Sequence, residues 1–378
     1  MGKAKRAKRS EPGIPGPIRE RLKPVRELLA RKRLDGLLVT SRTDQRYLTG
    51  FNGEDGMTLV TPRQVYLLSD FRFEEAAHQE APWARFVKRA KAIPAELAKL
   101  AKRGRMARIG FVPDRVTVAV LGDLRKATRP AGTRLVQAEN VPARLRAKKD
   151  AAELAEIRRA VCIAEEAFMA LRHSIRIGQT ERELASRLTY EMARRGATEP
   201  SFPVIVAEGP NSALPHAVPG QRKVKRGSAI LLDWGARYQG YCSDLTRVLF
   251  VGKIPPRFRR LYEIVSEAQR RAIRAVQSGR VIREVDRTAR SYIAKCGYGK
   301  QFGHALGHGL GLEIHESPGL NARNTSLLAS GMVVTVEPGI YVPGLGGVRI
   351  EDDVVVTDEG CQVLSRLPSS LDWAVIRR

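Results

Sequence analysis

Two β-hairpin patterns in the second half of the chain, each with two acidic residues on buried strands, constrain the fold most strongly. In the first, two apolar runs are joined by a short polar turn, with Asp233 in one arm and Asp244 in the other. A turn centred near Tyr238 and Gln239 would place these acids opposite each other. Burying two facing carboxylates costs on the order of several kcal/mol each unless a cation compensates them. This hairpin alone leaves two equally good interpretations. Either the two acids bind a cation, or one of them faces solvent or pairs with Arg247.

The second pattern repeats this arrangement further along the chain. Glu337 and Glu351 lie in two runs of β-branched residues around a Pro/Gly turn, and a turn centred on Gly344 would place them opposite each other. The alternative is that the four acids pair separately with Arg247, Arg349 and other bases, which is the less favourable interpretation. We therefore expect the two hairpins to contribute four carboxylates to a cation site.

Three of the six histidines in the chain, His304, His308 and His315, lie within twelve residues between these hairpins. The glycines among them disfavour a helix, so we expect an extended or looping backbone that can approach a ligand closely. A lone histidine is more often a core or surface residue, but this cluster favours function because neutral imidazole is a common metal ligand and proton carrier. Four carboxylates and an imidazole suit two divalent cations such as manganese, cobalt or zinc.

Charge is distributed unevenly along the 378 residues. The formal net charge is +26, and residues 1–150 contribute +18 of it, yet residues 301–360 sum to −6. An acidic stretch in so basic a chain predicts a cation site there, or a pocket that receives a positively charged group.

Composition excludes several classes of protein. With 43% hydrophobic and 28% charged residues, the chain is typical of a soluble globular protein. No stretch approaches the roughly 18 apolar residues of a membrane-spanning helix, and the N-terminus lacks the apolar centre of a signal peptide. We therefore expect a cytoplasmic protein with no membrane contact. The four cysteines lie far apart without a CxxC pair, which argues against a disulfide framework and a cysteine zinc site.

The chain divides into three predicted segments. Residues 1–14 are a basic tail that we expect to be disordered, residues 15–147 alternate helices and strands as in a compact α/β domain, and residues 148–378 hold the chemistry. In the last segment, Thr180 with Glu183 three residues later predicts a capped helix.

The motifs around these acids and histidines resemble those of the creatinase/methionine-aminopeptidase "pita-bread" metallopeptidases. They are PHA (residues 215–217), LLDWGARYQGYCSDLTRV, GHGLGLEIHE, TVEPGIY and GGVRIEDD. Within this family they are similar to the Xaa-Pro aminopeptidase and prolidase branch. DGLLVTSRTDQRYLTGFNGEDG and LLSDFRFEEAA likewise resemble the small N-terminal domain of that branch and of creatinase. The resemblance implies an α/β (α+β) fold, with a creatinase-type N-terminal domain followed by a pita-bread catalytic domain. Asp44 and Phe73 depart from the usual Asn and Tyr of the branch.

The resemblance also implies a dinuclear metal site. Asp233 would chelate one ion, Asp244 and Glu351 would bridge both, and His308 and Glu337 would complete the second. Manganese is the expected metal, and cobalt, zinc and iron are alternatives. A water shared by the two ions would be activated as the nucleophile that attacks the peptide carbonyl.

Further residues acquire roles from the same resemblance. Glu337 would accept the proton of the attacking water. His216 and His315 would stabilise the tetrahedral oxyanion and border a proline pocket. His304 and Arg349 occupy motif positions near the site, where Arg349 would orient a bridging carboxylate or a substrate group.

The expected activity is hydrolysis of the Xaa-Pro bond at peptide N-termini, of the aminopeptidase P or prolidase type. The substrates would be proline-containing peptides with a free N-terminus, and the resemblance implies a homodimer. Creatinase works without metal and lacks the full ligand set, whereas methionine aminopeptidase usually lacks the N-terminal domain. A rival from another class is a metal-independent protein that binds nucleic acid or protein. The basic tail from Lys3 to Arg9 supports nucleic-acid contact as a secondary possibility.

Overall fold

The computed structural model describes residues 13–377, which divide into two compact units at Leu145 and Arg146. The boundary proposed from the sequence, after residue 147, lies two residues from this division. Most of the predicted tail lies outside the described residues, and Ile14, which the prediction assigned to it, is buried. No helix in the described range is long and apolar enough to cross a membrane.

The N-terminal unit combines short helices with one mixed sheet. Its helices are α1 (Gly16–Lys32), α2 (Arg42–Thr49), α3 (Glu74–Glu80), α4 (Ile93–Arg103), α5 (Val118–Thr128) and α6 (Val141–Arg146), which ends at the unit boundary. Its strands are β1 (Gly36–Val39), β2 (Met57–Val60), β3 (Val65–Ser69), β4 (Arg85–Lys88), β5 (Arg108–Phe111) and β6 (Arg134–Gln137).

The sheet of this unit has the order β4-β3-β2-β1-β5-β6. Strands β1, β5 and β6 are mutually parallel, as are β3 and β4, whereas β2 is antiparallel to both of its neighbours. The two residues that depart from the family pattern lie in this unit: Asp44 is buried in α2, and the ring of Phe73 meets Phe51 edge-on at 6.5 Å.

The C-terminal unit has four long helices and several antiparallel sheets. Its helices are α7 (Ala151–Ser174), α8 (Glu181–Arg194), α9 (Pro256–Ala275) and α10 (Ile282–Lys295). The strands that carry the site are β7 (Glu199–Pro200), β8 (Ile205–Glu208), β9 (Ala229–Trp234), β10 (Ala236–Tyr238), β11 (Tyr241–Cys242), β12 (Leu245–Val251), β13 (Gly307–Gly309), β14 (Glu316–Leu320), β15 (Val333–Val336), β16 (Gly339–Val342), β17 (Gly346–Arg349) and β18 (Asp352–Val356). Two peripheral strands complete it, β19 (Cys361–Val363) and β20 (Val375–Ile376).

Helix α8 begins as the sequence predicts. Thr180 is its N-cap, and reciprocal hydrogen bonds with Glu183 form a capping box. An equivalent box between Asp150 and Glu153 starts α7. These caps fix where both helices enter the fold, since each satisfies backbone N–H groups that the first helical turn leaves without partners.

Alternation along β9 places its four-stranded sheet, β20-β12-β9-β8, between two helical layers. Ile230, Leu232 and Trp234 face a core formed with α7 and α8, whereas Ala229 and Leu231 face the core of α9 and α10. Because successive side chains of a strand point to opposite faces, Asp233 belongs to the second face. The first acid of the site therefore extends an apolar row, which explains why it is buried.

The register of the first hairpin differs from the predicted one. Asp233 pairs with Thr246, and Tyr238 pairs with Tyr241 around a turn at Gln239 and Gly240. Both turn residues have positive φ, 45° and 77°, as the favoured two-residue hairpin turn requires, and glycine accepts this conformation readily. The prediction that Asp244 lies directly opposite Asp233 is therefore wrong by two residues. A shift of two preserves the face, so both acids still point to the same side.

Candidate active site

The first two acids lie where the β9–β12 ladder ends. Asp233 is the penultimate residue of β9, and Asp244 immediately precedes β12. Both are buried, and the backbone N–H of Asp244 donates to Asp353 Oδ2 over 3.0 Å. The second acid is thus held through its main chain, which leaves its own carboxylate available to the site.

The second pair of acids, Glu337 and Glu351, lies between two strand pairs of the same hairpin, which continue one residue pairing. Val336 pairs with Asp352 in β15–β18, and Gly339 pairs with Arg349 in β16–β17, so the intervening Glu337 and Glu351 occupy corresponding positions. The turn of this hairpin is centred on Gly344, as the sequence predicts. Glu351 is buried, and its backbone bridges to Thr246 of β12, which joins the two hairpins.

His308 lies on β13, between β14 and β15, in the extended backbone predicted from its glycines. Its Nε2 lies 3.5 Å from Asp244 Oδ2 and 3.4 Å from Glu337 Oε1. Potential ligand atoms of Asp244, His308 and Glu351 lie within 4.8 Å of one another. A Cβ at the preceding Gly307 would stand 2.0 Å from the carbonyl oxygen of Thr335, so only glycine permits this close strand contact.

All nine candidate site residues line one cavity of about 580 Å³. They are His216, Asp233, Asp244, His304, His308, His315, Glu337, Arg349 and Glu351. The rest of the lining is largely apolar and includes Phe202, Pro203, Val204, Ile205, Pro215, Val218, Pro219 and Ile314. The structure thus brings the predicted residues together from hairpins and loops that are distant in sequence.

Burial and mutual repulsion perturb the acids strongly. Burial, followed by the charge of Glu351, raises the pKa of Asp244 well above its usual value, and burial with the charge of Glu337 does the same to the pKa of Glu351. Burial raises the pKa of Glu337 to about 7, although Arg349 opposes this. The carboxylates therefore favour their neutral form until a cation compensates their charges.

The two most buried histidines of the cluster favour the neutral form. Burial lowers the pKa of His308 to about 4, with His315 adding to the effect. Burial also lowers the pKa of His304 to about 4, with Arg349 as the second cause. A neutral imidazole is the form that binds metal, which suits the position of His308 beside the acids.

Arg349 is the buried cation of the site. Its Nη2 donates to Asp233 Oδ2 over 2.5 Å, its Nη1 to the hydroxyl of Tyr341 over 2.6 Å, and its Nε to Thr246 Oγ1 over 3.1 Å. The same Thr246 hydroxyl contacts Glu351 Oε2 at 2.6 Å. Arg349 is thus coupled directly to one acid and, through threonine, to another.

The remaining histidines occupy different parts of the cavity. The ring of His315 meets that of His308 edge-on, with centroids 4.3 Å apart, and both His315 and His216 are exposed. His304 lies deeper, and its Nε2 is 3.0 Å from the Tyr341 hydroxyl. Two histidines therefore border the open side of the cavity, and one belongs to the Arg349 network.

Sequence reasoning missed three contributors to this network. Tyr341 joins His304 to Arg349, Thr246 joins Arg349 to Glu351, and the hydroxyl of Thr335 lies 3.2 Å from Glu337 Oε1. Period-two spacing was a usable signal for Thr335, two residues before Glu337 on the same face. The contacts of Tyr341 depend on the packing of separate segments, and no local pattern indicates them.

The site fits divalent cations on its own geometry. Among the described residues, Asp233 Oδ1 is buried and accepts no hydrogen bond, and Arg349 is the one arginine or lysine that lines the cavity with the four carboxylates. Buried acceptors without partners are costly, and oxygen with imidazole ligands suits manganese, cobalt, iron and zinc. Asp233, Asp244, His308, Glu337 and Glu351 are the residues that could hold such ions.

This arrangement of fold and ligands is typical of a metal-dependent peptidase, and comparison with known families agrees. Residues 155–358 match the model of metallopeptidase family M24, and residues 21–148 match that of the creatinase/prolidase N-terminal domain. The chain belongs to metallopeptidase family M24.

Individual relatives extend this match over nearly the whole chain. A Xaa-Pro dipeptidase from Pyrococcus horikoshii is 34% identical over 94% of this chain and 99% of its own length. A solved structure of a Xaa-Pro dipeptidase from Bacillus anthracis is 38% identical, covers 95% of this chain and 100% of its own, and has a TM-score of 0.91. A solved structure of an X-Pro aminopeptidase from Thermotoga maritima is 35% identical, covers 89% of this chain and 97% of its own, and has a TM-score of 0.84.

These findings confirm the predicted resemblance, the two-domain fold class and the assignment as a hydrolase of the Xaa-Pro peptidase type. Membership of this family also implies the use of divalent metal ions. The rival class of metal-independent binding proteins loses support, because the chain belongs to a metallopeptidase family and its candidate acids and histidines meet in one cavity.

Proposed function

We propose that this protein is a dinuclear metal-dependent peptidase that hydrolyses the Xaa-Pro bond at peptide N-termini, of the aminopeptidase P or prolidase type. The observation that carries the proposal is the single cavity in which three buried carboxylates, the half-buried carboxylate of Glu337 and a neutral imidazole meet. Relatives named Xaa-Pro dipeptidase and X-Pro aminopeptidase support the substrate class and leave both peptide lengths as candidates.

Five residues would hold the two metal ions. Asp233 would bind one ion, Asp244 and Glu351 would bind both, and His308 with Glu337 would complete the second. When bound, divalent ions here would supply Lewis acidity, which polarises a peptide carbonyl and makes water a competent nucleophile near neutral pH. Manganese is the proposed native metal, with cobalt, zinc and iron as alternatives.

The chain's own groups would then manage protons and charge. Glu337 would accept the proton of the attacking water, because bound cations would keep its carboxyl group in the charged form that can take up a proton. His216 and His315, which line the open side of the cavity, would donate hydrogen bonds to the developing oxyanion. Arg349 would keep Asp233 oriented through its short contact with Oδ2.

The cavity wall supports a preference for proline. Apolar side chains and prolines make up most of its lining apart from the charged centre, so a compact pyrrolidine ring can be buried there. The surrounding carboxylates would favour a substrate with a free α-ammonium group, as an exopeptidase requires. We also propose a homodimer, on the family resemblance alone, and we keep nucleic-acid contact through the basic tail as a secondary proposal.

The test is a peptide panel with exhaustively chelated and metal-restored protein. Xaa-Pro dipeptides, longer Xaa-Pro peptides and matched Xaa-Ala peptides should be cleaved only after metal is restored, with Xaa-Pro preferred. Glu337→Gln should lose turnover, and His216→Ala should retain its metal but lose about 10²-fold in kcat.

Several results would contradict the proposal. Full activity at a metal content near zero would refute the metal mechanism. Faster cleavage of Met-Ala than of Met-Pro peptides would favour a methionine aminopeptidase. Salt-resistant, sequence-selective RNA binding by a metal-loaded protein without peptidase activity would favour the binding-protein class.

A further inference from the structure

Glu181, at the start of α8, is a buried acid outside the set of candidate site residues. Only 1% of its surface is exposed, and it has no close basic partner among the contacts of the described residues. Its Oε1 accepts from the backbone N–H of Glu208 over 2.7 Å, and its Oε2 accepts from that of Gly220 over 2.9 Å. The side-chain amide of Asn211 donates to both oxygens, over 2.9 and 3.1 Å. One carboxylate thus serves three donors.

These donors flank one loop of the cavity wall, which we call the His216 loop (residues 209–220). Glu208 immediately precedes the loop, Gly220 ends it, and Asn211 lies in its initial 3-10 helix, Gly209–Ala213. The part of the loop between Asn211 and Gly220 contains five consecutive residues that line the cavity, Pro215 to Pro219. Glu181 therefore closes the base of a loop whose far side carries His216.

Beyond its base, this loop is anchored in the core by the small side chain of Ala217, which is 4% exposed and follows His216 directly. Val218 is 84% exposed and Leu214 is 58% exposed, so neither side chain anchors the loop in a core. The middle of the loop is held by Ser212, which accepts from the N–H of Gly347 over 2.8 Å. Because Ala217 is a small anchor and its neighbours Leu214 and Val218 are exposed, the position of His216 also depends on the hydrogen bonds at the base of the loop.

We propose that Glu181 is a positioning residue, which sets the place of His216 in the cavity by holding both ends of the His216 loop. This rests on the proposed function, in which His216 contacts the reacting carbonyl oxygen. A carboxylate is needed here because both of its oxygens accept hydrogen bonds, Oε1 from the N–H before the loop and Oε2 from the N–H at its end. An amide of the same shape can accept on one side only, and its NH₂ group would face a donor on the other. A carboxylate on the first turn of a helix is also favoured by the helix dipole.

The principal variant is Glu181→Gln, which conserves shape and volume. We expect kcat on an Xaa-Pro dipeptide to fall about 10- to 100-fold, the scale of a small misplacement in an active site, with little change in metal content. The matched control is Glu191→Gln. Glu191 lies on the same helix and is equally buried, but its partners are Arg187, Arg194 and Arg195. It should leave kcat within about twofold, even where it lowers the melting temperature as much.

A double-mutant cycle separates positioning from general destabilisation. If Glu181 acts through His216, then adding Glu181→Gln to His216→Ala should cost less than twofold, because residues that share one function are not additive. Independent, multiplicative losses in kcat would overturn the proposal. Glu181→Asp, whose shorter carboxylate still has two acceptors, should restore part of the activity if Glu181→Gln proves poorly folded.

Amide hydrogen exchange tests the loop without reference to activity. In Glu181→Gln, exchange of peptides that cover residues 205–221 should accelerate at least tenfold, whereas the same peptides in Glu191→Gln should match the parent protein. Unchanged exchange would overturn the proposal even if kcat fell. If the metal-loaded parent cleaves no Xaa-Pro peptide, the proposed function fails, and the exchange result still decides whether Glu181 holds the loop.

Discussion

Arg247 and Arg349 are both buried within the C-terminal unit, yet their surroundings differ. Arg247 donates to the backbone carbonyls of Thr246, Glu351, Leu367 and Pro368, and its charge is balanced by Asp352 at 2.6 Å. Arg349 donates chiefly to side chains that belong to the candidate site or contact its acids and histidines. Burial of an arginine therefore does not by itself indicate function; the chemical nature of its partners does.

The acids that follow Arg349 in sequence show the same division. Glu351 faces the site, whereas the next residue, Asp352, accepts from Arg247 and from Gln269 over 2.7 Å. The alternative interpretation that Arg247 neutralises Asp233 or Asp244 is wrong, since its acidic partner is Asp352. Pairing with Arg349 does occur for Asp233, but it leaves Oδ1 without a hydrogen-bond partner.

The strongest test of this comparison replaces two neighbouring acids by their amides: Glu351, which lines the cavity, and Asp352, which pairs with Arg247. Glu351→Gln should abolish measurable turnover and reduce metal content, because a neutral amide cannot balance the charge of two ions. Asp352→Asn should retain kcat but lower the free energy of unfolding by about 3–5 kcal/mol, since it leaves Arg247 buried without a counter-charge. Peptidase assays, metal analysis and denaturant titration on both variants measure these effects. Equal losses of kcat in the two variants would contradict the assignment of Glu351 to the site and of Asp352 to a structural ion pair.

The two arginines can be compared by the same conservative change. In Arg349→Lys the forked donor geometry is lost, so kcat should fall about 10- to 100-fold while stability changes less. Arg247→Lys should show the reverse, with a stability loss and nearly normal kcat per folded, metal-loaded molecule. A kcat defect in Arg247→Lys as large as that in Arg349→Lys would show that the two cations share one role.

Stability of the metal-free protein should depend on pH in a direction set by the raised pKa values. The pKa of Glu337 is about 7 in the folded chain, against an ordinary value of 4.5 when unfolded, so folding binds a proton between these values. This stabilisation is complete below about pH 4 and is lost as the pH rises through 7. We expect the melting temperature of the metal-free protein to fall by several degrees between pH 5 and 8.

Metal should suppress this pH dependence, because bound cations hold the carboxylates in their charged form. The control is Asp352→Asn, which changes an acid outside the cavity and should keep the same slope in the metal-free state. A metal-free parent protein that becomes more stable from pH 5 to 8 would contradict the raised pKa of Glu337.

The smallest expected effect concerns the hydroxyl that joins Arg349 to His304. Tyr341→Phe removes two hydrogen bonds but keeps the ring, so we expect a loss of about two- to tenfold in kcat and about 1 kcal/mol in stability. Tyr262→Phe is a matched control, because its hydroxyl contacts the carbonyl of Ser369, outside the cavity lining. If Tyr262→Phe reduced kcat as much, the Tyr341 hydroxyl would have no special role.

The sequence predicted which residues meet in one cavity better than it predicted their geometry. Opposed acids in β-rich segments and a glycine-rich histidine cluster are local patterns, and all nine predicted residues line the cavity. The register of the first hairpin was mispredicted because it depends on which two residues adopt positive φ. The prediction centred the turn on Tyr238 and Gln239, whereas Gln239 and Gly240 are the residues with positive φ. In the second hairpin, Gly344 at the turn gave the correct register.

Contacts that join separate segments could not be predicted in the same way. Arg247 and Arg349 both occupy β-strand patterns near acids, and only the packing of β12 beside β17 and β18 assigns Asp352 to one and Asp233 to the other. Glu181 likewise looks like an ordinary acidic residue in the first turn of a helix, a position that favours acids in any helix.

The glycine before His308 limits how this enzyme could be redesigned. With the backbone of Thr335 2.0 Å from any Cβ at position 307, and that of Ser317 2.5 Å from one at position 309, neither neighbour of His308 can acquire a side chain without displacing a strand. Directed evolution of a new substrate range should therefore find few accepted changes there. Productive substitutions should concentrate elsewhere in the cavity lining, at positions such as Phe202, Val204 and Val218, where side chains already border open space.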